Sequence, residues 1–158
     1  MKIKKTALCL VLIAGIAASL SSCFSTHELV VDEKAPAAHT ALVTFANDRG
    51  DFNVILWNEK DIESELYGKE VHHYGLVKLT VPAGRTSFLF DVHYTIRMGQ
   101  VSTTYIFNNI EIRYDLEPGK EYTINIHRLG KGFIESTFFI GIYDAAGNVL
   151  KEWELKRG

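Results

Sequence analysis

Apolar residues recur at every second position from Thr40 onward, so the period is that of strands, not of helices. "ALVTFA" (41–46) sets Ala41, Val43 and Phe45 on one face. After the turn-rich "NDRGD", "FNVILWN" (52–58) is apolar on both faces, as expected of a strand in the middle of a packed sheet. "GLVKLTV" (75–81) follows, and "PAGR" (82–85) reads as a turn. The segment from Thr86 to Met98 alternates most clearly. Phe88, Phe90, Val92, Tyr94, Ile96 and Met98 share one side, while Ser87, Asp91, His93, Thr95 and Arg97 share the other. This is the pattern of a half-buried antiparallel strand. "GQ" (99–100) predicts a hairpin, with Val101 to Phe107 as the returning strand.

At Asn108–Asn109 the alternation slips, and Ile110, Ile112, Tyr114 and Leu116 take over the apolar face; a β-bulge or short turn accounts for such a slip. "EPGK" (117–120) predicts a turn, "EYTINIH" (121–127) a strand, "GKG" (130–132) a turn and "STFFIGIYD" (136–144) a strand. "AAGN" then leads into "VLKEWEL" (149–155), a terminal hairpin. Eight or nine strands parted by Gly, Asn and Pro turns predict an all-β, antiparallel β-sandwich over residues 40–158. "NEKDIESELYG" (58–68) has room for one or two helical turns. "FSTHELVVDEKAPAAH" (24–39) mixes charges, small residues and Pro36 and reads as a flexible tether, spanning roughly 20–25 Å as a coil. Val30 and Val31 offer a short edge strand as the alternative.

The first 22 residues have a different character. Lys2, Lys4 and Lys5 precede an unbroken apolar run from Ala7 to Ala18, which is shorter than the roughly 20 residues of a membrane span. A basic start, an apolar centre and a small-residue finish describe a secretory signal peptide. The run ends in Leu20, Ser21, Ser22 and Cys23, and here the chain resembles a bacterial lipoprotein precursor with its lipobox. That resemblance implies cleavage between Ser22 and Cys23 and a diacylglycerol on the Cys23 sulfur. It also implies a membrane partner through the lipid and a place in the bacterial cell envelope. Phe24, where inner-membrane retention would use Asp, resembles the sorting of lipoproteins to the outer membrane.

Cleavage would take Lys+Arg from 17 to 14 against 19 Asp+Glu, moving the net charge from −2 to −5. Both cysteines, Cys9 and Cys23, would be removed or blocked, leaving no thiol for a disulfide, a metal or a nucleophile. An acidic chain without a basic cluster does not suit nucleic acid as a partner.

A second resemblance runs over residues 41–127. The order "FNVILWN", "LYGKE", "YGLVKLTVPAGRTSFLFDV", "LEPGKEYTINI" is similar to PEGA-like β-sandwich modules of envelope lipoproteins, within the broader immunoglobulin-like class. Val81, Pro82, Gly84 and Arg85 stand for one characteristic turn, with Ala83 between proline and glycine. Pro118, Gly119, Lys120 and Tyr122 stand for the second. The resemblance implies a structural or interaction role and brings no catalytic residues.

Candidate chemistry is sparse. His72 and His73 adjoin Glu70, but neighbours on a strand point to opposite faces, and no paired histidine spacing for zinc occurs; His93 and His127 stand alone on expected strands. The serines at 64, 87, 102 and 136 lack a nucleophile motif. Asp48 with Asp51, and Glu63 with Glu65, read as solubilising charges, and no twelve-residue calcium loop surrounds them. The expectation is a non-catalytic binding or structural protein without metal or cofactor. Trp57, Tyr67 and Tyr74, if exposed together, would make a platform for a glycan or an apolar side chain; the preferred reading is that Trp57 completes the sandwich core and the tyrosines line its rim.

Overall fold

Successive side chains of a strand leave opposite faces, so the segments of period two each bury one row of residues against a facing sheet. The computed structural model describes residues 25–46, 49–68, 75–130 and 136–156. These residues form the strands β1 (Ser25–Val30), β2 (Thr40–Phe45), β3 (Gly50–Trp57), β4 (Lys60–Asp61), β5 (Gly75–Pro82), β6 (Gly84–Met98), β7 (Val101–Leu116), β8 (Glu121–Leu129), β9 (Thr137–Asp144) and β10 (Val149–Leu155). One short helix, α1 (Glu63–Tyr67), and a 3-10 turn at Ala37–His39 complete the described elements. The strands make two packed sheets, ordered β1-β5-β2-β8-β9-β10 and β4-β3-β6-β7.

The core lies between the sheets. Val43, Phe45, Val77, Leu79, Val81, Ile124, Ile126, Phe138 and Ile140 enter from one side, and Phe52, Val54, Phe88, Phe90, Val92 and Ile112 from the other. Aromatic rings meet edge to face at its centre: Phe45 lies 5.7 Å from Phe52 and 5.4 Å from both Phe88 and Phe90. Such pairs contribute about 0.5–1.5 kcal/mol each beyond the area they bury. A second group surrounds Phe138, with Tyr94, Tyr105 and Phe107 at 5.4, 4.7 and 5.2 Å.

The slip at Asn108–Asn109 is a bulge in β7. Phe90 pairs with Ile110 and Val92 with Phe107, so β7 spends one more residue than β6 over this stretch. Asn109 takes a positive φ of 56°, and its N–H donates to the Asp91 carboxylate at 2.7 Å. The bulge moves the apolar set to the other parity and keeps Phe107 and Ile112 facing inward.

Three expectations are corrected. The antiparallel sandwich contains two parallel pairings, β1 with β5 and β2 with β8. Strands of the smaller sheet lie between the partners in each case, β3 and β4 between β1 and β5, and β3, β4, β6 and β7 between β2 and β8, connections that local alternation does not reveal. Residues 25–39 are no loose tether: β1 pairs with β5 along its whole length, Val31 N–H donates to the Thr80 carbonyl, and Lys78 reaches Glu28 at 3.0 Å. Among the described residues the packed domain therefore already includes Ser25 and the residues up to 39. Met98 shares the parity of the buried row but is 48 % exposed, because β3 begins only opposite Tyr94 and the β6–β7 hairpin runs on beyond it. At "PAGR" the chain passes between the sheets: Gly84, at φ 107°, takes it from β5 in the larger sheet to β6 in the smaller.

β3 is flanked by β6 and the two-residue β4, so most of its far edge depends on the segment that follows. Asn58 and Glu59 both adopt positive φ, as a two-residue hairpin of primed type requires. Ile62 N–H then donates to the Ile55 carbonyl, and α1 turns Leu66 and Tyr67 inward. This crossover closes one side of the sandwich, with His27 of β1 lying edge-on to the Tyr67 ring at 4.9 Å.

Candidate functional site

Of the three aromatics weighed as a platform, Tyr67 is buried and Trp57 half-buried. Tyr67 is 3 % exposed, its hydroxyl held against β3, and burial raises its pKa well above the ordinary phenol range. Trp57 packs its ring on the core margin and donates from Nε1 to the Thr86 hydroxyl at 2.9 Å. Tyr74 lies outside the described residues, as do Ser22, Cys23, Glu70, His72 and His73. The physical reason for Tyr67 is the vacant edge of β3, which a phenol can fill with both an apolar ring and a hydrogen-bonding tip.

The remaining titratable groups disperse into local contacts. His93 stands opposite Asp51 in the β3–β6 register; burial raises the Asp51 pKa and the imidazole opposes that shift. On the outer face of the larger sheet, Gly141 opens a lane between strands. The Tyr143 ring lies across it to bring its hydroxyl within 3.2 Å of His127 Nδ1, and Glu152 approaches His127 Nε2 at 3.6 Å. His127 also stacks on Phe139 at 5.4 Å. Burial and the neighbouring Glu152 together raise the Tyr143 pKa. An open hollow of about 300 Å³ between Asn58, Glu59, Arg85, Ser87 and Arg113 has its Arg113 tied to Glu111 at 2.7 Å. Among the described residues, no three His, Cys, Asp or Glu side chains gather as a metal site would require.

One feature at the sheet margin is different in kind. β7 has β6 as its only strand neighbour, and its other edge is open, among the described residues. From Val101 to Asn109 that edge reads "VSTTYIFNN", with no charge, proline or glycine. Ser102, Thr104, Ile106 and Asn108 are exposed, Ile106 at 58 %. Natural edge strands are usually blunted by charge, proline or a covering element, because open N–H and C=O groups accept a further strand. Here charges return only after the bulge, at Glu111, Arg113 and Asp115. The absence of charge was visible in the sequence; that this strand lies at an edge was not.

Comparison with known protein families, characterised proteins and solved structures returns no match. Among the described residues no helix is long and apolar enough to cross a membrane.

Proposed function

We propose that this chain is a lipid-anchored β-sandwich of the bacterial envelope that binds an extended segment of a partner protein and catalyses nothing. The observation that carries the binding reading is the uncharged, open edge of β7 between Val101 and Asn109. An added strand would satisfy the open backbone groups, while alternate side chains such as Ile106 and Thr104 would read the partner's sequence. The lipid anchor rests on the basic, apolar and small-residue order of residues 1–22 and on Leu20-Ser21-Ser22-Cys23. The PEGA-like reading is supported by its two turn motifs, Pro82–Gly84 and Pro118–Gly119, both of which connect a strand of one sheet to a strand of the other.

Two experiments test this. Cys23→Ala should leave the precursor uncleaved and unlabelled by palmitate; normal processing of that variant overturns the anchor. A photo-crosslinking residue at Asn108 should give a discrete adduct in the native envelope, whereas one at Thr80, on the outer face of the larger sheet, should not. Adding Ile106→Lys should abolish the Asn108 adduct, because a charged edge refuses strand addition. An adduct that persists in that variant overturns the edge as the binding site.

A further inference from the structure

All strand ends fall at one of two ends of the sandwich, and the register assigns each. β1 and β5 run parallel and start together at Ser25 and Gly75. β2 runs against β5 and so finishes at this end, and β3 begins here because Gly50 pairs with Tyr94, near the finish of β6. The tip of the β6–β7 hairpin therefore projects from the same end at which the described chain begins. At that tip Met98 and Val101 are cross-strand partners, 48 % and 57 % exposed, joined by the exposed Gly99 and Gln100. Leu129, 57 % exposed, closes β8 at the same end.

Among the described residues the charge also differs between the ends. Arg49, Arg97 and Lys156 are exposed where the chain begins, with Asp51 and Glu154 as their acidic neighbours in the strands. The opposite end carries the turns with Asp32, Glu33, Glu59, Glu117 and Asp144, interspersed with Lys34, Lys60, Arg85 and Lys120. An anionic surface would thus be favoured at one end and repelled at the other.

We infer that the end bearing Met98, Val101 and Leu129 rests in the headgroup layer of the bilayer, with the hairpin tip entering it. The inference depends on the lipid-anchor reading of Cys23. Cys23 precedes Ser25 by two residues, a reach of at most about 7 Å even fully extended. With β1 built into the sheet, no sixteen-residue spacer separates lipid from domain. The lipidated residue thus holds this end of the sandwich at the membrane surface. An exposed apolar pair beside arginines is the composition expected of a protein surface seated at an anionic interface. The opposite end, and with it the Asp144 turn, then faces away from the membrane.

The lipidated full-length protein allows a direct test, since a lipid on Cys23 leaves the processed chain without a free thiol. Gln100→Cys and Ala146→Cys each introduce one labelling site, at the hairpin tip and in the β9–β10 turn. Each is labelled with an environment-sensitive fluorophore and reconstituted in vesicles of phosphatidylethanolamine and phosphatidylglycerol that carry nitroxide lipids. The label at 100 should shift to the blue and lose most of its emission to the nitroxide, while the label at 146 keeps its emission. Met98→Asp with Val101→Asp, exposed positions that leave the core intact, should restore emission at 100. Equal quenching at both sites, or none at either, in protein whose mass includes the lipid overturns the orientation and leaves the anchor standing. An intact mass without lipid overturns the anchor, and the orientation falls with it. A blue shift at 100 that grows with protein concentration in detergent alone assigns the tip to a second copy of the chain and also overturns the proposal.

Discussion

The phenol oxygen of Tyr67 accepts a hydrogen bond from the Val54 backbone N–H at 2.8 Å and faces the Phe52 carbonyl at 3.4 Å. One side chain from a five-residue helix thus does at the middle of β3 what a neighbouring strand would do. The two-residue β4 reaches only Leu56 and Trp57. Tyr67→Phe keeps the ring and leaves the buried Val54 N–H without its acceptor, a loss of about 1–3 kcal/mol. Tyr67→Ala also empties the space between His27 and β3 and should cost about 3–5 kcal/mol. Urea unfolding of both variants checks the order; equal stability of Tyr67→Phe and the parent would show that the bond contributes nothing.

This relationship also marks the limit of what the sequence discloses. Alternation identifies β6 residue by residue, because a half-buried strand writes its two faces into every second letter. The slip at Asn108–Asn109 is legible for the same reason, since a bulge changes the parity of the apolar set. Neighbours far apart in the chain leave no such mark. The parallel partners of β2 and β1 lie in β8 and β5, and no local feature of "TALVTF" or "STHELV" specifies them. Tyr67 could be read as surface or core from its flanks, because the edge it fills exists only once β3 and β6 have paired. The open edge of β7 was hidden likewise: "VSTTYIF" shows a strand, and only the sheet order makes it a margin.

Asn109 holds its positive φ of 56° at the bulge of β7, where most side chains would crowd the following carbonyl. Asn109→Val should therefore cost about 1–2 kcal/mol, whereas Asn109→Gly, which relieves the strain, should be near neutral or slightly stabilising. Asp91→Ala removes the acceptor of the Asn109 N–H at an exposed site and should cost about 0.5–1.5 kcal/mol. Thermal unfolding of the three variants should give this ranking. A Val variant as stable as the Gly variant would place the strain elsewhere.

At Gly141 a Cβ would meet Tyr143 Cε2 at 2.8 Å, closer than side chains tolerate. Gly141→Ala therefore drives the Tyr143 ring off its lane and parts its hydroxyl from His127, at a cost of about 1–3 kcal/mol. In a Tyr143→Ala background the same change should cost little, because the obstacle is gone. The double-mutant cycle should return a coupling of about 0.5–3 kcal/mol, as for residues in contact. Additive effects would show that Gly141 is needed for its backbone and not for the room it gives Tyr143.

Asp144 organises the β9–β10 turn by accepting three hydrogen bonds, from Ala146 N–H at 2.9 Å, Asn148 N–H at 2.8 Å and the Asn148 amide at 2.8 Å. Those donors favour the carboxylate, the Asn148 side chain most, and hold its pKa below the ordinary value of 3.8. A folded value below the unfolded one contributes stability that is complete above the unfolded value. It is lost as pH falls through the folded one. The turn should therefore hold β10 firmly near neutral pH and loosen in acid. Asp144→Ala should speed hydrogen exchange across Val149–Leu155 at neutral pH, and the gap between parent and variant should close as pH falls through the lowered pKa of the folded carboxyl. Asp51 titrates with the opposite sign, since burial raises its pKa and its protonation in acid favours the folded state. The comparison must therefore be made variant against parent at each pH and not along the parent's curve alone. No gap at neutral pH would show that the turn is held by the Asn148 and Gly147 backbone bonds to residue 144 and not by its carboxylate.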